Sequence, residues 1–314
     1  MVNLPYKKII RQAAELTWRH KWLWALGVLA FGFEDFNLIN FRVNERVQPG
    51  QPFDAFVKSI LSKPEVLVPA AIAALLLLLI FIYIQALAGG GILAGFLRIQ
   101  NQKTANLSLS WKDGKKFSNR LFGLTIAAWL SLILGAILLI VPTYYLFNAG
   151  MALRAIIMAG LAFVIFIPYY FVVSLTSIYA ANFIVLGNMN LTQAASSGFD
   201  LLTRHLITSA FFAAVVAILE IILIIIFALS GALLSIPFII IGIILKMVFG
   251  TEIITLLYFL GFLLLGLSTL ILGAIISVWS KLAWALAWQE LVGRGKFDEE
   301  ERAKEPIVEP TFLA

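Results

Sequence analysis

The chain has 314 residues, 61% of them hydrophobic and only 13% charged, with a net charge of +6 and no cysteine. Soluble domains carry roughly 45–50% apolar and about 25% charged residues, so this composition excludes a water-exposed globular fold, and the missing cysteines exclude thiolate catalysis, disulfides and cysteine-ligated metals. No polar block is long enough to form a separate catalytic domain, so the expected architecture is all-α: a polytopic transmembrane bundle over 1–293 with an acidic cytoplasmic tail over 294–314.

The chain opens with five cations in residues 1–21, followed by the uncharged, Trp-rich stretch 22–33. That pairing resembles the first two regions of a signal peptide, but large aromatics stand where a small-residue cleavage site belongs, so an uncleaved span is expected. Twelve residues cover only about 18 Å, and 16–20 are therefore expected to complete a first span over 16–33. In the loop that follows, Phe53, Phe56, Val57, Ile60 and Leu61 recur at helical spacing behind Pro52. They imply a short amphipathic helix on the outer surface.

Residues 66–96 contain no charge over 31 positions, and further apolar runs give expected spans at 121–147, 151–187, 206–229 and 252–290. Each exceeds or approaches the ~20 residues a bilayer requires. Pro168 is the natural kink of the fourth span. The stretch 231–250, interrupted by Pro237 and carrying Lys246, is expected as an external interfacial or re-entrant segment, which leaves six spans. Segments 1–21, 98–120, 204–205 and 281–304 hold 17 of the 23 Lys and Arg residues, which leads to the expectation that these loops and both termini are cytoplasmic. Trp18, Trp22, Trp24, Trp111, Trp279, Trp284 and Trp288 lie near that side, where a headgroup belt is expected.

A repeated entry motif organises the spans. Asn3-Leu4-Pro5, Asn106-Leu107-Ser108 and Asn190-Leu191-Thr192 each precede an amphipathic stretch that ends in an arginine: Arg19, Arg120 or Arg204. Ser108, Thr192 or the adjacent Asn would cap a helix start, and Pro5 suits a first turn. Each stretch is expected to lie along the inner interface before the chain turns inward, giving three helical hairpins with basic interfacial residues at Arg19, Arg120 and Arg204.

Few residues could carry chemistry. Glu220 is embedded in a fully apolar run. It is either a proton or cation relay, or a protonated acid bonded to a neighbouring helix. Lys281, among Trp279, Trp284 and Trp288, either snorkels inward or pairs with Glu220. Gln85 is an interhelical hydrogen-bonding group, and Tyr170, Ser174 and Ser177 form a polar stripe that lines a path or packs helices. Gly91 and Gly95, Ser131 and Gly135, and Gly273 and Ser277 are small-residue pairs suited to close helix approach. Walker, His-Glu-x-x-His and Gly-x-Ser-x-Gly motifs are missing, and His20 and His205 do not suggest a metal site. No catalytic residue, metal or cofactor is expected.

The basic amphipathic start, the Trp-rich first span, 88–95 (AGGGILAG), 193–197 (QAASS) before 201–205 (LLTRH), and the closing 283–291 segment together resemble an uncharacterised group of six-span bacterial integral membrane proteins. These are similar to the membrane domain associated with glycerophosphodiester phosphodiesterases. The resemblance implies a membrane-domain fold and transfers no catalytic residue. The expected function is non-enzymatic: membrane organisation, or binding of lipids, a protein partner or a second copy, with no role for nucleic acid. The alternative is a transporter or channel for a small solute, ion or lipid that uses Glu220.

Overall fold

Long uncharged runs leave backbone N–H and C=O groups no partner in hydrocarbon except along their own helix. The computed structural model describes residues 4–31, 64–249 and 251–304, and among them every element is α-helical. In chain order these are α1 (Tyr6–Arg19), α2 (Trp22–Ala30), α3 (Pro64–Gln100), α4 (Leu107–Asn148), α5 (Ala152–Val185), α6 (Leu191–Arg204), α7 (Leu206–Phe249) and α8 (Thr251–Lys304). Five segments are long and apolar enough to cross a membrane: Leu67–Gln100, Leu107–Asn148, Ala152–Val185, Leu206–Gly231 and Leu263–Gly293. The protein is therefore membrane-embedded. The expected outer helix at 52–61 lies outside the described residues.

Three boundaries differ from expectation. The span expected over 16–33 is not one helix: α1 ends at Arg19, the His20 N–H closes it on the Leu16 carbonyl at 3.1 Å, and the short α2 starts afresh at Trp22. The polar run Arg19-His20-Lys21 interrupts both apolar faces and lets the helix be redirected there. The stretch 107–119 is not a separate interfacial helix, because α4 runs unbroken through Arg120. Its buried face continues from Ser110, Gly114 and Ser118 directly into Leu121 and Leu124. Finally, 231–249 is no re-entrant turn but a helical continuation of α7, since a helix satisfies within itself backbone groups that a turn would leave unpaired. Part of the acidic tail, 294–304, likewise continues α8.

Helix pairing follows a regular scheme. α1 packs on α8, the first third of α4 on α3, and α6 on α5. Each docks through a stripe at four-residue spacing: Ile9, Ala13 and Thr17 in α1, Ser110, Gly114 and Ser118 in α4, and Ala194, Gly198 and Leu202 in α6. In all three the arginine follows the last stripe residue by two positions. α2 also contacts α3, α4 contacts α5, and α7 contacts α8, while α3, α5 and α8 touch one another. Asn106 caps α4 by accepting the Leu109 N–H at 2.9 Å, whereas the Asn190 side chain makes no capping bond to α6. The tight turn between α4 and α5 uses Gly150 at φ +74°, a conformation glycine adopts without steric cost.

Burial is concentrated at one end of the helices. The core joins Leu23 and Leu26 of α2, Ala88, Ile92 and Phe96 of α3, Tyr179 and Ile184 of α5, Leu202 of α6, and Leu282 and Leu291 of α8. Trp279, Trp284 and Trp288 belong to this core rather than to a headgroup belt, because neighbouring helices cover them to within 6–8% exposure. Trp284 meets Tyr179 edge-on at 5.8 Å and Phe212 at 4.9 Å, and Trp288 meets Phe183 at 5.1 Å. Trp18, by contrast, is 62% exposed, and Lys21 lies over both the Trp18 and Trp24 rings. Away from this packed head, the helices present apolar side chains outward.

Candidate intramembrane polar level and basic head

Ring contacts fix how the long helices are aligned. Phe212 against Trp284 and Gly231 beside Leu265 make α7 and α8 antiparallel. Gly89 beside Lys281 and Gln100 bonded to Gln289 make α3 and α8 parallel, as Tyr179 on Trp284 and Phe183 on Trp288 do for α5 and α8. At equal rise, Glu220 comes level with Ile276 and Gln85 with Ser277, while Lys281 stands about 6–8 Å further toward the packed head. The structure thus brings Glu220, Gln85 and Ser277 to one depth where the packed head gives way to exposed helix, with Lys281 one turn inward.

The details differ from residue to residue. The Lys281 stem runs over Gly89, its Cε 3.6 Å from where a Cβ would stand. The Gln85 amide nitrogen and the Ser277 hydroxyl are buried without a hydrogen-bond partner among the described residues. Both can donate a hydrogen bond, so this level favours an acceptor or a water molecule. Glu220 is half-buried on the face of α7 that also carries the buried Ser209, Phe212 and Val216.

The expected stripe on α5 divides. Ser174 and Ser177 are half-buried, but Tyr170 is exposed. The preceding residue does the packing: the Tyr169 hydroxyl donates to the Ser131 carbonyl at 2.8 Å and pairs with the Ser131 hydroxyl at 2.6 Å, over the space left by Gly135. Sequence reading also passed over Tyr179, whose hydroxyl donates to buried Ser209 at 2.8 Å. Its only sequence signal was a tyrosine on the same apolar helix face as Phe183.

On the basic side the three arginines do different work. Arg120 donates to the Met189 carbonyl at 3.2 Å and to Asn188 at 3.4 Å, bracing the α5–α6 turn, while Arg19 and Arg204 end their helices on the surface. The α3–α4 turn is held by Asp113, which accepts from Arg98 at 2.6 Å and from Lys116 at 2.8 Å. These pairs are partly exposed, so the Asp113 staple contributes only about 1 kcal/mol.

His20, between α1 and α2, has its pKa lowered, first by burial and second by the neighbouring Arg19 charge. The unfolded chain therefore takes up this proton more readily than the folded one, so the His20 contribution is complete above pH 6.5 and falls away as pH drops below that value. We expect the melting temperature to decrease between pH 8 and pH 5 less steeply in His20→Gln than in the wild type, measured by thermal unfolding in detergent. Equal slopes would remove His20 as a contributor.

Among the described residues no group of three or more His, Cys, Asp or Glu could hold a metal ion. Comparison with protein-family profiles, curated proteins and solved structures finds no match to this chain.

Proposed function

We propose that this is a non-enzymatic protein that organises lipid in the bacterial cytoplasmic membrane. It has six spans in three hairpins and both termini inside, with the membrane-domain character that its sequence resemblance implies. The observation that carries this reading is exposure around the full circumference of α3. Leu75, Leu76, Leu77 and Leu78 of α3 are all exposed, and four successive residues about 100° apart point to every side of the helix axis. None of the most apolar window of α3 or of α5 is buried. Such helices must meet acyl chains or apolar partners, and a packed head continued by helices with exposed apolar surface is suited to holding lipids. The pairing scheme supports a cyclic threefold order, in which each entry segment docks on the last helix of the preceding hairpin and α1 closes the ring on α8.

The rival reading is transport through the level of Glu220. Full-length protein in sealed vesicles is expected to retain a defined set of lipids by native mass spectrometry and to conduct no protons or ions above empty vesicles. Glu220→Gln is expected to fold and to retain those lipids. A proton or ion flux that disappears in Glu220→Gln would replace lipid organisation by transport.

A further inference from the structure

The outer face of α1 carries Lys7, Lys8 and Arg11, all exposed and within little more than one helical turn. They border a groove of about 800 Å³ that is also lined by Tyr6 and Glu15. No carboxylate lies within ion-pair distance of the three cations among the described residues. The corresponding faces differ: in the register of the docking stripes the α4 equivalents of Lys7, Lys8 and Arg11 are Ser108, Leu109 and Lys112, and those on α6 are Thr192, Gln193 and Ser196, so neither repeats the cluster of three cations.

The groove has an apolar border. Tyr6 packs edge-on against Phe211 at 5.3 Å and stacks on Phe212 at 6.2 Å, so the start of α7 adjoins the cations. On α7, Phe211 remains 57% exposed and Ile207 69% exposed. Cations along the groove, and exposed aromatic and aliphatic groups of α7 beside its Tyr6 end, fit one kind of ligand.

We infer that the α1 groove binds the phosphate headgroup of an anionic phospholipid, with the acyl chain lying along Ile207 and Phe211. The inference rests on the lipid-organising reading and names its lipid class. The cations of α1 supply the charge attraction, and the α1 N-terminus adds to it because its first turn holds no acid. The Phe211 edge distinguishes a lipid from free phosphate, which gains nothing from an apolar wall. The burial of Ile9, Ala13 and Thr17 against α8 keeps the cationic face turned outward.

The test uses full-length protein in neutral detergent, titrated separately with phosphatidylglycerol, phosphatidylcholine and inorganic phosphate, and read by native mass spectrometry. The wild type is expected to retain phosphatidylglycerol over phosphatidylcholine and to show no competition by inorganic phosphate. The triple variant Lys7→Gln, Lys8→Gln, Arg11→Gln is expected to lose this preference on the order of 100-fold while keeping the wild-type melting temperature. Phe211→Ser is expected to weaken phosphatidylglycerol retention without creating phosphate binding, and Lys112→Gln with Lys115→Gln is expected to leave retention unchanged. Undiminished phosphatidylglycerol retention in the triple variant, or full competition by inorganic phosphate, would overturn the site. If the wild type retained no lipid of either kind, the lipid-organising function itself would fall, an outcome distinct from retention that ignores the α1 cations.

Discussion

Gly114→Ala is expected to be among the most damaging conservative substitutions in the protein. A Cβ at this position would stand 2.6 Å from the Gly91 nitrogen, 2.7 Å from the Gly91 Cα and 2.8 Å from the Leu87 carbonyl oxygen. These are backbone atoms of α3, which cannot swing aside, so α4 must move away from the helix it packs on most extensively. Glycine costs a helix about 1 kcal/mol relative to alanine, and that gain is outweighed by overpacking of about 1–3 kcal/mol or more. Gly160→Ala is the control: nothing lies within 4 Å of its Cβ position, so the helix-propensity gain should appear alone. Thermal unfolding in detergent should show Gly114→Ala melting well below the wild type and Gly160→Ala at or above it. Equal melting of the two variants would refute the close α3–α4 crossing. Gly198 is a milder case on α6, its Cβ position 2.9 Å from the Ala180 nitrogen and the Thr176 carbonyl.

The second large effect is expected at Trp284, where α5, α7 and α8 meet. Its ring is 6% exposed and takes edge contacts from Tyr179 and Phe212 at once. Trp284→Ala should cost about 3–5 kcal/mol through the cavity it leaves, further weakened by loss of the two aromatic pairs at about 0.5–1.5 kcal/mol each. Trp284→Phe keeps one ring and should lose a fraction of that amount. The decisive comparison is chemical or thermal unfolding of Trp284→Ala beside a substitution of exposed Trp18. If Trp284→Ala unfolded with the wild type while Trp18→Ala did not, the packed head would be wrongly assigned and the headgroup belt restored.

The two residues also mark where sequence reading reached its limit. Trp18 and Trp284 are both tryptophans beside cations at the basic end of an apolar run, and local composition gives them the same interfacial role. Only the meeting of three helices removes Trp284 from the headgroup layer. The same holds for Tyr169 and Tyr170: adjacent positions on one helix point about 100° apart, and which one reaches Ser131 depends on how α4 and α5 are rotated about their axes. Glu220, Gln85 and Lys281 were legible as isolated polar residues in apolar runs, because desolvation makes such residues rare. Their shared depth was not legible, since it depends on helix register across α3, α7 and α8.

By itself the sequence determined the environment, the helical class and the location of most of the long apolar helices. Those properties follow from uncharged run length, from the necessity of internal backbone hydrogen bonds in hydrocarbon, and from caps such as Asn106, all of which are local. It also determined the spacing of the entry stripes, because Ala13, Gly114 and Gly198 recur at fixed distances from their arginines. Tertiary structure decided whether an entry stripe ends in a new helix, as at His20 and His205, or runs on through Arg120. It decided as well which helix each stripe docks on and which apolar surface stays open to lipid. Those outcomes are long-range: hydrophobicity rewards burial without naming a partner, and the partner is selected only where small residues let two backbones approach, as Gly114 and Gly91 do.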